Sequence, residues 1–188
     1  GEKGLAIVNQ DSQFAEFWLG KLKYQPVQTF SPDNHNAQAD FYATDITIDL
    51  NGCAAFEMHS AQGNTDIRLA VPGMHNVGNA LVAAALTMAV GATLEDVKYG
   101  LQDMQAVGGR LKVVPLTEQV RILDDTYNAN VGSVKAAIDT LASFSGRRVL
   151  VLGDMAELGE KARYYHEQVG EYAKEKFIDC LYTSGVLS

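Results

Sequence analysis

The clearest pattern along the chain is a two-residue alternation across residues 46–71. Ile46, Ile48 and Leu50 alternate with Thr47 and Asp49. Asn51-Gly52 follows, a pair suited to a tight hairpin because both central positions must tolerate positive φ. Ala54, Phe56 and Met58 then alternate with Ala55 and Glu57. Gln62, Gly63 and Asn64 turn the chain, and Ile67, Leu69 and Val71 alternate with Arg68 and Ala70. The spacing predicts a three-stranded antiparallel meander with one buried face. Before it, residues 4–9 and 25–30 read as strands. Between them Asp11 or Ser12 is placed to cap a short helix carrying Phe14, Phe17, Trp18 and Leu19. Residues 31–40 read as a polar loop.

After Pro72-Gly73 the period changes. Residues 75–90 are nearly continuous in Ala, Leu and Val, with Gly91 as a stop, which predicts a helix buried on most sides. Thr93 and Asp96 stand in a capping-box relation before a second helix with Leu94, Val97, Leu101 and Met104 on one stripe. Gly108 and Gly109, within residues 107–110, make the best domain boundary. Beyond it, residues 111–116 and 119–123 pair as a hairpin across Thr117-Glu118. Asp124, Asp125, Thr126, Tyr127, Asn128 and Asn130 form a polar loop, and Gly132 and Ser133 open a helix to Ser143 with Val134, Ala137, Ile138, Leu141 and Ala142 on one face. A fully apolar strand at 149–152, the turn 153–159, a helix over 162–176 and a strand at 180–183 complete a β-α-β-α-β series. That is half of a doubly wound α/β sheet.

With 47% hydrophobic residues among 188, a packed core is affordable and a disordered chain is excluded. The formal net charge of -8 argues against general binding to nucleic acid or to an anionic membrane. Cys53 and Cys180 are far apart and read as buried thiols of a reducing cytoplasm. The apolar run 80–90 is too short to span a bilayer, and no secretory leader is visible. Both ends are expected to be cuts within a larger protein.

Several side chains can carry chemistry. Asn76 and Asn79 share one helix face, and their amides complement the donor and acceptors of adenine; equally, they can cap the helix. Arg110, next to two glycines, can grip phosphate oxygens or be a surface residue beside a linker. Asp124 and Asp125 end a strand, where a carboxylate can take ribose hydroxyls or serve a turn. Asn128 and Asn130 can position a ligand or satisfy the loop backbone. Asp154 and Glu157 lie at the C-terminal end of a strand, the favoured ligand edge, where they also complement a helix dipole. His35 and His59 read as loop and strand-surface residues. His166 is as readily packed as functional. No cluster has metal-site spacing, and no Gly-x-x-x-x-Gly-Lys-Ser/Thr phosphate loop occurs.

Four runs, in this order, resemble the Mur ligase family. They are Pro72-Gly73-Met74-His75-Asn76-Val77-Gly78-Asn79-Ala80, then Gly109-Arg110-Leu111, then Asp124-Asp125-Thr126-Tyr127-Asn128-Ala129-Asn130, then Gly153-Asp154-Met155-Ala156-Glu157-Leu158-Gly159. The third and fourth runs resemble the family member that handles D-alanyl-D-alanine. Met74 and Val131 depart from the usual residues of the family, which are often basic and proline there. The resemblance implies an α/β chain made of the second half of a central ATPase domain (1–107), a linker (108–110) and the first part of a Rossmann-like C-terminal domain (111–188). The family's phosphate loop and main magnesium ligands lie upstream.

The resemblance further implies an ATP-dependent ligase of peptidoglycan synthesis. It would add D-alanyl-D-alanine to UDP-N-acetylmuramoyl-tripeptide through an acyl phosphate, with Mg²⁺ as cofactor. Asn76 and Asn79 would hold adenine, Arg110 the ATP phosphates and Asp125 the ribose. Arg110, Asn128 and Asn130 are the implied catalytic set; Tyr127, Asn128, Asn130, Asp154 and Glu157 are the implied substrate-side residues. A cytoplasmic monomer, with no nucleic-acid partner and no membrane span, is implied as well, and the segment by itself is expected to be inactive. A related ligase of folylpolyglutamate or cyanophycin type, or a non-catalytic nucleotide- or partner-binding module, remains as an alternative.

Overall fold

The computed structural model describes residues 4–32 and 38–187. His35 and the centre of the expected 31–40 loop lie outside the described residues. The chain divides into two compact units. The first comprises Gly1–Asp49, Cys53–Ala70 and Met74–Met104; the second comprises Leu50–Gly52, Val71–Gly73 and Gln105–Ser188.

The first unit is built on a five-stranded mixed sheet. Its strands are β1 (Ala6–Asn9), β2 (Val27–Ser31), β3 (Phe41–Ile48), β4 (Cys53–Ser60) and β5 (Gly63–Pro72), in that spatial order. The expected meander is therefore only part of the sheet. β1 and β2 add to it in parallel, and β2 also runs parallel to β3, whereas β3 and β4 are antiparallel. A helix, α1 (Ala15–Lys21), supplies the crossover that parallel β1 and β2 require. Its N-cap is Phe14, with no side-chain cap, so the expected cap at Asp11 or Ser12 is not made there. Ser12 Oγ instead accepts from Phe14 N–H at 3.2 Å, and Asp11 accepts from Ser31 Oγ at 2.7 Å.

Alternation holds in β4 and β5, where Ala54, Phe56, Met58, Ile67, Leu69 and Val71 are buried. It fails in β3. Asp45 adopts φ 52°, and the register jumps from Thr44↔Glu57 to Thr47↔Ala55, so two β3 residues face one β4 residue. The extra residue moves the inward positions from odd to even numbers, so Ile48, opposite buried Ala54, shares the face of Ala43, opposite buried Met58; Ile48 is the last residue of the strand and is left uncovered there. Phe41 and Ala43 are buried before it, while Ile48 is exposed and Leu50 is 89% exposed.

Two helices complete this unit, α2 (His75–Ala89) and α3 (Leu94–Gln102). α2 packs across β1 to β4 through buried Val77, Ala80, Leu81, Ala84 and Ala85. Only one face is covered: Leu86 and Val90 are exposed, so burial on most sides does not hold. α3 begins with the expected capping box, Thr93 and Asp96 exchanging bonds, and buries Val97 and Leu101. Met104 lies past its end and is exposed.

The second unit opens with the expected hairpin of β6 (Lys112–Pro115) and β7 (Arg121–Asp124). Helix α4 (Val131–Ser143), strand β8 (Val149–Gly153), helix α5 (Ala162–Glu175) and strand β9 (Cys180–Ser184) follow. β8 and β9 are parallel, as their apolar character predicts. β7 does not join them. Its hydrogen-bonding partner is β6, so the expected β-α-β-α-β series becomes an antiparallel hairpin and a separate two-stranded parallel sheet. α4 and α5 pack together over a core of Val134, Ile138, Leu152, Met155, Val169 and Ala173. Cys53 and Cys180 form no disulfide, and each is partly covered, not fully buried as expected. Among the described residues, no helix is long and apolar enough to cross a membrane.

Candidate functional site

The polar loop after β7 is tied to the glycine junction by its own carboxylates. Asp124 Oδ2 accepts from Gly109 N–H at 3.0 Å. Its other oxygen accepts from Thr126 Oγ1 at 2.7 Å and from Thr126 N–H at 3.3 Å. The Thr126 hydroxyl, and next the Gly109 amide, hold the Asp124 carboxyl below the usual carboxylate range. Asp124 is therefore committed to the loop's own structure.

Asp125 differs. One oxygen accepts from Leu111 N–H at 3.1 Å. The other accepts no hydrogen bond among the described residues, so a partly buried carboxylate keeps one lone-pair face for a ligand. The sequence offered both carboxylates; the geometry separates a structural one from an available one.

The junction itself is tightly folded. Tyr127 N–H donates to Gly109 O at 3.0 Å, and Arg110 N–H donates to Val107 O at 3.1 Å. Gly109 holds φ +75°, and a Cβ there would stand 3.1 Å from Tyr127 N and 3.2 Å from Tyr127 Cβ. Glycine is required because two main chains approach and because the backbone is left-handed. Leu111, next but one, also takes a positive φ of 50° yet is buried. The Arg110 guanidinium lies over the exposed Tyr127 ring, its Cζ 4.3 Å from the centroid.

The two loop asparagines are partly spent on local bonds. Asn128 Oδ1 accepts from Ala129 N–H at 2.9 Å. Asn130 is the N-cap of α4: its Oδ1 accepts from Ser133 N–H at 2.9 Å, and its own N–H donates to Ser133 Oγ at 3.0 Å. The helix thus begins at Val131, one residue before the expected Gly132-Ser133 start. Val131 becomes the first helical residue, a position that also accepts proline.

The turn after β8 is built in the same way. Asp154 accepts from Val186 N–H at 2.9 Å and Leu187 N–H at 3.0 Å, joining the C-terminal ends of β8 and β9. Glu157 is exposed at φ 61°. Behind it, Met155 N–H donates to buried His166 Nε2 at 2.8 Å. Nδ1 must then carry the proton, and it lies 2.8 Å from Ala162 O. Both ring nitrogens are satisfied, so His166 anchors the turn from below. Its lone place on a helix gave no sequence signal for this. Ala129 and Val131 rest on the same apolar core as Met155 and Leu158, so one core supports both loops.

In the first unit, Asn79 Nδ2 donates to Asn76 Oδ1 at 2.9 Å on the first turn of α2. The expected shared face is present. Neither asparagine stands at the cap position itself: the N-cap is Met74, with no side-chain cap bond. Asn79 is exposed, and its own carbonyl oxygen accepts no bond among the described residues. His59 is not a simple surface residue. It stacks on Tyr42 with centroids 4.3 Å apart and lies 2.8 Å from Thr44 Oγ1. Among the described residues, no group of three or more His, Cys, Asp or Glu is arranged to hold a metal ion.

Comparison with known proteins places these loops in context. Residues 1–87 match the Mur ligase middle domain, and residues 109–187 match the Mur ligase glutamate ligase domain. The UDP-N-acetylmuramoyl-tripeptide–D-alanyl-D-alanine ligase of Escherichia coli K12 is 46% identical over 98% of this chain, which covers 40% of that protein. The protein of the same name from Haemophilus influenzae is 39% identical, with coverages of 98% and 39%. A crystal structure of MurF from Acinetobacter baumannii superposes with a TM-score of 0.90 at 34% identity, over 98% of this chain and 39% of that one. The chain thus spans about two fifths of the length of the relatives it matches.

Proposed function

The chain belongs to the Mur ligase family, and we propose that it is a segment of an ATP-dependent ligase that joins D-alanyl-D-alanine to UDP-N-acetylmuramoyl-tripeptide. The observation that carries this reading is the division of labour between Asp124 and Asp125. The first is consumed in holding the loop; the second is anchored on Leu111 and, among the described residues, keeps one oxygen open, while Arg110, the residue before Leu111, forms no ion pair there. A strand-end carboxylate suits a ribose, and a guanidinium carried by the junction it binds suits the phosphates. The likeness to two ligases of that name supports the choice of substrates.

Residues 1–107 would be part of a central ATP-binding domain, residues 108–110 a linker, and 111–188 part of a C-terminal ligase domain. In the first, Asn76 and Asn79 would contact adenine, with the outward oxygen of Asn79 as acceptor. In the second, Asp125 would accept a ribose hydroxyl and Arg110 would donate to phosphate oxygens. Asn128 and Asn130 keep their amide N–H groups for substrate, since the bonds described above use their oxygens. Asp154 would act as a support, because both its oxygens hold the turn after β9. Glu157 is exposed and would face the incoming dipeptide.

The tripeptide carboxylate would take the γ-phosphoryl group of ATP, and the amine of the dipeptide would displace phosphate from the acyl phosphate. Mg²⁺ would neutralise phosphate charge, held by residues outside this chain. What this segment contributes is positioning and charge. The complete enzyme would be a cytoplasmic monomer serving wall synthesis, and through it cell shape and division.

The test is Asp125→Ala in the complete ligase. Losing a hydrogen bond to a charged acceptor raises the KM for ATP by about ten-fold or more, with a smaller change in the KM for D-alanyl-D-alanine. An unchanged ATP KM removes the ribose assignment.

A further inference from the structure

We propose that Tyr127 is the positioning residue for Arg110: its ring carries the face of the guanidinium and leaves the N–H edge open to an oxyanion of the nucleotide. This rests on the reading of Arg110 as a phosphate contact and adds a residue that acts through it.

Tyr127 is 69% exposed, and its phenol oxygen makes no hydrogen bond among the described residues. An aromatic ring so placed at the mouth of a polar loop gains little from burial. What it does contact is Arg110, at 4.3 Å from Cζ to ring centroid. Arg110 forms no ion pair among the described residues. A guanidinium stacked by its face keeps all its donors, because the five N–H bonds lie in its plane. The stack thus holds the cation without spending any group needed for a phosphate.

The pairing is set by the main chain. Tyr127 N–H bonds to Gly109 O, Arg110 N–H to Val107 O, and Leu111 N–H to Asp125 Oδ1. Residues 109–111 are therefore anchored on each side of Arg110, and the side chain of residue 127 is brought beside that of residue 110. The left-handed Gly109 permits the approach, since a Cβ there would press on the Tyr127 backbone. An unheld arginine loses much rotamer freedom when it binds; a ring beneath it removes part of that loss beforehand.

Such a role predicts a signature that a direct substrate contact does not. In the complete ligase, Tyr127→Leu should raise the KM for ATP about two- to five-fold, the range for an exposed cation–π pair. The KM for D-alanyl-D-alanine should stay within experimental scatter. Tyr127→Phe, which keeps the ring, should recover most of the loss. In an Arg110→Ala background, Tyr127→Leu should add nothing further. If Arg110→Ala raises the ATP KM and Tyr127→Leu does not, the positioning role is wrong while the Arg110 reading stands. Effects that add independently, or a change confined to the D-alanyl-D-alanine KM, also overturn it. If Arg110→Ala leaves the ATP KM unchanged, the Arg110 reading fails and this proposal fails with it.

Discussion

Replacing Gly109 by alanine should loosen the whole loop that carries Asp125, and the size of the effect follows from three contacts. The residue sits at φ +75°, where an L side chain costs about 1–2 kcal/mol. The new methyl would lie 3.1 Å from Tyr127 N, 3.2 Å from Tyr127 Cβ and 3.5 Å from Thr126 Oγ1. Two of these are main-chain or near-main-chain atoms and can retreat only by stretching the Tyr127-to-Gly109 and Gly109-to-Asp124 hydrogen bonds. Each such bond contributes about 1 kcal/mol net. The sum is about 2–4 kcal/mol of local stability. Native-state hydrogen exchange at the Tyr127 amide reads it directly: protection should fall by roughly 30- to 1,000-fold in Gly109→Ala. Gly108 is the internal control, because a Cβ there meets nothing within 4 Å and its φ is not left-handed. Gly108→Ala should leave Tyr127 protection unchanged or slightly raised. Equal loss in both variants, or none in Gly109→Ala, would mean that the close approach at Gly109 does not hold the loop.

His166→Leu should destabilise the turn at 153–159 by about 1–3 kcal/mol, because Met155 N–H is left buried without an acceptor; protection of the Met155 amide measures it, and unchanged protection counts against the anchor. The Asp124 carboxyl, held below its ordinary value of 3.8 first by Thr126 Oγ1 and then by Gly109 N–H, gives an acid-side test. A folded-state value below the unfolded one contributes stability above the unfolded value and loses it as pH falls through the folded one. The Gly109 amide should therefore keep its protection down to about pH 4 and lose it only in stronger acid; loss already near pH 5 contradicts this.

Much of the chain was legible because its signals are local. The Thr93–Asp96 box, the Gly91 stop, the β6–β7 hairpin and the alternation of β4 and β5 each depend on residues a few positions apart. What escaped depends on distant partners. The bulge at Asp45, which changes the inward positions of β3 from Phe41 and Ala43 to Ile48, has no glycine to announce it. The parallel pairing of β1 and β2, and the separation of β7 from β8, are choices among strands that local pattern does not rank. At the site, the residue types pointed to Asp125, Arg110 and the asparagines. They could not say that Asp124 is spent on Gly109 and Thr126, or that Asn130 caps α4. The Met155–His166 bond links residues on a turn and a helix with no shared motif.

If this segment completes a ligase, the acceptor amine of that ligase is D-alanyl-D-alanine. The most direct measurement is phosphate release from ATP by the complete protein and by the 188-residue segment alone. Each is offered UDP-N-acetylmuramoyl-tripeptide with either D-alanyl-D-alanine or L-glutamate. The complete protein should release phosphate with the dipeptide and little with glutamate, and the segment, which carries no phosphate loop, should release none. Release from the complete protein driven by L-glutamate as well as by the dipeptide, or dipeptide-dependent release from the segment alone, would overturn this assignment.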